Sequence, residues 1–213
     1  MALVLNGCSF GYEWKDFPGY NLSQSGGSIA RSFRTTMEWI VSNRHLSIDY
    51  VFIPLTMVSR FEIARVTEQN IPIEGPYILG EAYNHYHIMA ELSDTCYMSW
   101  DYAFMKIITF SAWLEQQGIK YLMWDQCNMF NRNDIKGWRG MEKLKLIDDN
   151  PRIIPLFDFC GNQYMYDNGG EWEEDDSHLE TNIRHYKNES YIILQEYLEK
   201  YMKDVLNEKV EWK

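Results

Sequence analysis

The sequence predicts an α/β protein, a three-layer α/β/α sandwich built on a five-stranded parallel sheet. Short runs at residues 2 to 5, 19 to 22, 50 to 55, 119 to 124 and 153 to 157 have the length of strands. They lack the strict alternation of a sheet wetted on one face, and read instead as strands covered on both faces. Longer stretches at helical spacing lie over about 29–43, 94–117 and 185–206, and strands separated by helices make a parallel sheet. A chain of 213 residues with 46% hydrophobic content suits one domain over 1–213 around one core.

The elements follow in order. Residues 2 to 5 are apolar and break into Asn6-Gly7-Cys8-Ser9-Phe10-Gly11, whose glycines allow a sharp exit from a first strand. A short second strand over 19 to 22 precedes the Ser25-Gly26-Gly27-Ser28 turn. Ile29, Phe33, Met37, Ile40 and Val41 then recur at helical spacing to about Asn43. Residues 50 to 55 form a buried strand expected to end near Pro54, where a missing N–H interrupts a ladder. An irregular insertion is expected at about 61–92, beside the site. The helix from Asp94 to Gln117 turns Trp100, Phe104, Ile107 and Leu114 inward and stops at Gly118. A second insertion near the site is expected at about 126–150, and the last helix docks Tyr191, Leu194, Leu198 and Tyr201.

Composition excludes some function classes. Thirty-one acidic against 20 basic side chains leave a net charge of -11, which repels a nucleic-acid backbone and offers no polybasic membrane patch. No run approaches the ~20 apolar residues of a membrane helix, and residues 1 to 15 lack the pattern of a signal peptide. The expected location is therefore the cytoplasm. Cysteines at 8, 96, 127 and 160 have no zinc or dithiol spacing and read as reduced thiols. Aromatics at 15%, including 8 Trp and 15 Tyr, exceed core needs and point to self-association or to sugar-stacking platforms.

The chemistry sits at the two ends of the chain. A lone serine after a strand is ordinarily a turn residue, and serine becomes a nucleophile only beside a base. Near the other end, Asp175-Asp176-Ser177-His178 lies in a charged segment ahead of the last helix. One turn of backbone brings Asp175 to His178, so that the acid fixes the tautomer and frees the other ring nitrogen; Asp176 is the fallback orienter. Capping by Asp175 beside a solvated histidine accounts equally well for that pair.

Taken in order, these segments resemble the SGNH hydrolases, also called the GDSL esterase and lipase family. The family opens with a strand leading into Gly-Asp-Ser, matched here by Gly7-Cys8-Ser9, and closes with Asp-x-x-His, matched by Asp175 to His178. Gly26 in Asn21-Leu22-Ser23-Gln24-Ser25-Gly26-Gly27-Ser28 matches the second-block glycine whose amide serves the oxyanion hole. Thr56 falls where the family carries an oxyanion-hole asparagine, and Arg60 is a second candidate to stabilise the oxyanion or grip an acidic group. The resemblance implies a flavodoxin-like SGNH fold and a Ser9-His178-Asp175 triad that needs no cofactor or metal.

The implied activity is serine-dependent ester hydrolysis. Tyr12, Trp14, Tyr83, His85, Tyr86, His87, Asn128 and Asn131 are expected around the pocket. Rings, amides and imidazoles suit a sugar better than a fatty chain, so the expected substrate is a small-molecule or carbohydrate ester carrying a small acyl group, first an O-acetyl. Tyr12, Trp14, His85, Asn128 and Arg60 are the substrate-binding candidates. His85 and His87, with Asp94 or Asp125, lack a recognised ligand spacing, so no metal site is expected. Glycoside hydrolysis has no motif here. The alternative is a catalytically weak or inactive SGNH-like domain serving as a phage virion, carbohydrate-binding or host-interaction protein. That alternative follows from the divergent Gly-Cys-Ser-Phe opening, which resembles small hydrolase-like proteins of phages and bacteria and would place the chain in a host cytoplasm or a virion.

Overall fold

The first apolar run pairs on both sides, as strands buried on both faces do. The computed structural model describes residues 2–24, 28–56, 65–66, 72–73, 97–127, 130, 140–173, 185–210 and 212. Within them β1 (Ala2–Leu5), β2 (Tyr20–Asn21), β3 (Ile48–Leu55) and β6 (Lys120–Asp125) form one four-stranded sheet in the order β2-β1-β3-β6, every pair parallel. β4 (Arg65–Val66) and β5 (Pro72–Ile73) pair antiparallel in a separate ribbon, inside the first expected insertion.

Successive side chains of a strand point to opposite faces, and the core divides accordingly. Val4, Val51, Ile53, Leu55, Tyr121 and Met123 pack with α2 (Ile29–Ser42), α3 (Tyr97–Gln116) and α4 (Met141–Asp148). Leu3, Leu5, Tyr50, Phe52, Leu122 and Trp124 pack with α5 (Gly161–Asp167) and α6 (Tyr191–Val205). The protein is thus a mixed α/β fold with helices on both faces of a parallel sheet. Each fully buried Val, Leu, Ile or Phe contributes about 1.5–3 kcal/mol relative to exposure, so a one-residue slip of a central strand would exchange two matched cores.

Helix limits follow local chemistry. Ser28 caps α2, its Oγ accepting from Arg31 N at 3.1 Å. α3 ends before Gly118, whose φ of 67° is left-handed. There Ile119 N donates back to Leu114 O at 3.0 Å. The second expected insertion contributes α4, which packs in the same core as α3. Among the described residues no helix is long and apolar enough to cross a membrane.

The third strand ends where expected, and the expectation for the fifth is corrected. β3 continues one residue past Pro54, to Leu55. Phe52 O accepts from Asn6 N at 3.0 Å, and the alternation of a strand turns Pro54 to that same side, where β1 has already ended. The absent N–H therefore breaks no ladder. The fifth strand, expected over 153 to 157, is one isolated parallel bridge between Ile153 and Met123, with Ile154 N donating to Met123 O at 2.9 Å. Pro155 has no N–H to extend it, and Asp158 N and Phe159 N turn back onto Pro155 O, both at 3.1 Å.

Candidate functional site

β1 has β2 on one side and β3 on the other, so the connections after these strands part at its carboxyl end. Open parallel sheets hold ligands in the crevice that such a parting creates. The residues delivered there are Asn6 to Ser9 after β1, Thr56 after β3, and Gln126 and Cys127 after β6.

Asn6 anchors this edge from within. It is buried, and its Nδ2 donates toward Ser32 O at 2.9 Å, Thr35 Oγ1 at 2.7 Å and Thr36 Oγ1 at 2.9 Å, tying the end of β1 to α2. Gly7 follows because only glycine fits: a Cβ there would meet Pro54 Cγ at 2.6 Å. Gly7 N donates to Ser23 Oγ at 2.9 Å, and Gln24 N donates to Gly7 O at 3.3 Å. The early turn at Asn6-Gly7 is therefore a close crossing of β1's exit over β3, held laterally by the residues after β2.

Ser9 begins α1 (Ser9–Glu13), with the extended Cys8 as its N-cap. It is buried at 7% exposure, and its hydroxyl makes no hydrogen bond to another described residue. α1 is secured from behind, since Asn21 Nδ2 donates to Gly11 O at 2.8 Å and Trp14 O at 3.1 Å. Tyr191 on α6 donates its hydroxyl to Phe10 O at 2.6 Å. Burial pushes the Tyr191 phenol well above its ordinary range, so it stays a donor at any working pH.

Thr56, at the end of β3, is buried at 1% exposure. Tyr12 on α1 is open to solvent at 53% exposure. Trp14, expected at the rim of the pocket, packs in the core under α6, its ring stacked with Tyr191 at 5.5 Å and Trp212 at 5.9 Å. Gly26, Arg60, Tyr83, His85, Tyr86, His87, Asp94, Asn128, Asn131, Asp175, Asp176 and His178 lie outside the described residues.

The neighbours of several of these are nevertheless fixed. Gln24, hydrogen-bonded to Gly7, and Ser28, the cap of α2, flank Gly26 in the sequence. Glu173 and His185 flank the stretch that holds Asp175 and His178, and Glu173 N donates to His185 O at 2.9 Å beside an antiparallel bridge between Trp172 and Tyr186. The His185 ring lies 5.0 Å from that of Phe10, tilted by 49°. That contact is the feature sequence reasoning missed. Helical periodicity absorbed His185 into the last helix, and nothing local marks its partner 175 residues away.

Beyond β3 the edge is built on Asp125 and Gln126. Asp125 accepts from Cys127 N at 2.9 Å and Phe130 N at 3.1 Å, so its carboxylate holds the backbone at both of these positions. Gln126 accepts from Trp124 Nε1 at 2.6 Å and donates to Asn162 Oδ1 at 2.7 Å. Cys127 packs with Cys8 and Phe10 in a small cluster of their own, bringing the turns after β1 and β6 together.

These features define an α/β protein whose parallel sheet carries polar, internally braced turns at its carboxyl edge. No protein-family model matches the chain, and no curated protein or solved structure matches it either.

Proposed function

We propose that this chain is a serine-dependent esterase of the SGNH type, which removes a small acyl group, first an O-acetyl, from a carbohydrate-like substrate. Ser9 is the nucleophile, His178 its base and Asp175 the group that orients the imidazole. His178 takes the proton from Ser9 Oγ as the oxygen attacks the ester carbonyl. The Ser9 and Gly26 amides and the Thr56 hydroxyl stabilise the oxyanion. His178 then protonates the departing alcohol, and water releases the acyl group by the same route.

The observation that carries this reading is the contact between Phe10 and His185. It sets His185, which follows His178 by seven residues in the chain, against the residue next to Ser9. The strand order is further support: the four parallel strands β2-β1-β3-β6 follow the same sequence as the first four of the 2-1-3-4-5 order of flavodoxin-like sheets. Tyr12 and Asn128 supply a ring and an amide for a sugar, Arg60 and His85 a cation and an imidazole. Substrate and protein need no metal or organic cofactor for this chemistry.

One observation favours the second reading, a hydrolase-like domain that binds without turnover. Thr56 stands where the family has an asparagine donor and is nearly inaccessible. Hydrolysis of p-nitrophenyl acetate and of acetylated xylose by the purified protein separates the two. The esterase reading expects turnover that Ser9→Ala and His178→Ala each abolish. No turnover by the wild type on either ester, or turnover that survives Ser9→Ala, overturns it.

A further inference from the structure

We propose that Cys8 and Cys127 are a thiol pair that closes to a disulfide when the protein meets glutathione disulfide, stapling the turn after β1 to the turn after β6. The proposal does not depend on the reading of Ser9.

β1 and β6 are not neighbours in the sheet, since β3 runs between them, yet the turns that follow them meet. Cys8 and Cys127 are both buried, and with Phe10 they form a cluster that belongs to neither main core. Among the described residues the cluster has no other member, so each cysteine packs on the other or on the ring they share. The Tyr191 phenol, which donates to Phe10 O at 2.6 Å, reports the same arrangement. Burial raises it most, and Cys8 and Cys127 both add to the effect, which puts the two thiols around one hydroxyl.

The backbone is fixed at both positions by bonds that leave the side chains out. Cys8 is the extended N-cap of α1, its carbonyl accepts from Tyr12 N at 3.1 Å, and its side chain makes no capping bond. Cys127 N donates to Asp125 at 2.9 Å. A disulfide needs Cβ atoms about 3.5–4.5 Å apart, a spacing open to two cysteines in one small cluster. Cys160 is the competitor. It also carries a thiol, but it lies outside the cluster and its Sγ donates to Gln126 O at 3.4 Å.

Cys127 is 9% exposed and Cys8 0%, so Cys127 reacts first. Its thiolate attacks one sulfur of glutathione disulfide, forming a mixed disulfide and releasing one glutathione thiolate. The Cys8 thiolate then attacks Cys127 Sγ, forming the Cys8–Cys127 bond and displacing the second glutathione. The two protein thiols together lose two electrons and two protons, and one glutathione disulfide becomes two glutathiones.

The test uses the full chain, first reduced and then incubated with glutathione disulfide in the folded state. Remaining thiols are blocked with N-ethylmaleimide, and the protein is digested without reduction and mapped by mass spectrometry. The proposal expects a peptide pair linked through Cys8 and Cys127 in most chains, lost on treatment with dithiothreitol and retained in Cys160→Ser. In Cys8→Ser, or in Cys8→Ala should the serine variant fail to fold, Cys127 is expected to stop at the mixed disulfide. Recovery of both cysteines as maleimide adducts, or of each as its own mixed disulfide, overturns the proposal. So does a link from either one to Cys96 or Cys160, or a Cys8–Cys127 link that forms only in denaturant, where the fold plays no part.

Discussion

The two ends of the parallel sheet use their polar residues in opposite ways. At the amino end Arg152 donates to Glu208 at 2.8 Å and to Tyr50 Oη at 3.2 Å, Tyr50 donates to Glu208 at 3.0 Å, and Lys120 pairs with Glu208 at 3.3 Å. Nearby, Asn150 donates to Tyr121 Oη at 2.8 Å, and Tyr121 donates to Glu115 at 2.6 Å. Burial pushes the Tyr121 phenol up to about 12 and the Tyr50 phenol higher still, so both remain donors. Every charge in the Glu208 network faces another. At the carboxyl end Asn6, Asp125 and Gln126 are directed backward into helices and turns, which braces the edge around the buried Ser9 and Thr56. A network satisfied within itself stabilises, whereas an edge braced from behind suits the nucleophilic role proposed for Ser9.

Removing the proposed nucleophile and base should break the comparison most visibly. Ser9→Ala and His178→Ala are each expected to lower ester turnover by about 1000-fold or more. The double variant should be little worse than either, because the residues act as one unit. Thermal unfolding of all three should match the wild type. Thr56→Val keeps the branched shape and deletes the hydroxyl, and should lower turnover by about 10- to 1000-fold with little effect on substrate binding, as steady-state kinetics would show. Full activity in Thr56→Val would pass the oxyanion role to Arg60 or to amides alone.

Smaller effects should separate the ends by stability. Gly7→Ala forces a Cβ onto Pro54 and should cost about 1–3 kcal/mol in urea unfolding, with a loss of turnover because the Ser9 turn shifts. Glu208→Gln should cost about 1 kcal/mol and leave turnover unchanged. Its pH dependence sharpens the contrast. Burial alone would raise the Glu208 carboxyl, but hydrogen bonds from Arg152 and Tyr50 outweigh it and hold the group below its ordinary value. The folded state therefore gains stability above the unfolded carboxyl's pKa of about 4.3, and loses it as the pH falls through the lowered value. Denaturation curves between pH 6 and 3 should show a wild-type decline that is smaller in Glu208→Gln.

The strands were readable in the sequence because burial on both faces leaves continuous apolar runs, as in Val51, Phe52 and Ile53. The same logic misled at 153 to 157. Ile153, Ile154 and Leu156 are buried, yet apolarity reports burial and says nothing about which N–H groups find partners. Ser9 was legible as the residue after a strand, but α1 was not, since Gly7 and Gly11 read as turn signals. Their real task is close approach to Pro54 and to Ser23. Trp14 read as a rim residue because an aromatic beside a turn has the same local signature whether it faces a ligand or Tyr191. His185 shows the limit most plainly: only the folded chain sets it on Phe10.

The central claim is that Ser9 at the carboxyl edge is a nucleophile served by His178. Peptide mapping by mass spectrometry after treatment with a fluorophosphonate tests it most directly. The account predicts one adduct, on Ser9, formed by the wild type and missing from His178→Ala. An unlabelled wild type, an adduct on another serine, or labelling of Ser9 that is unchanged in His178→Ala would contradict it.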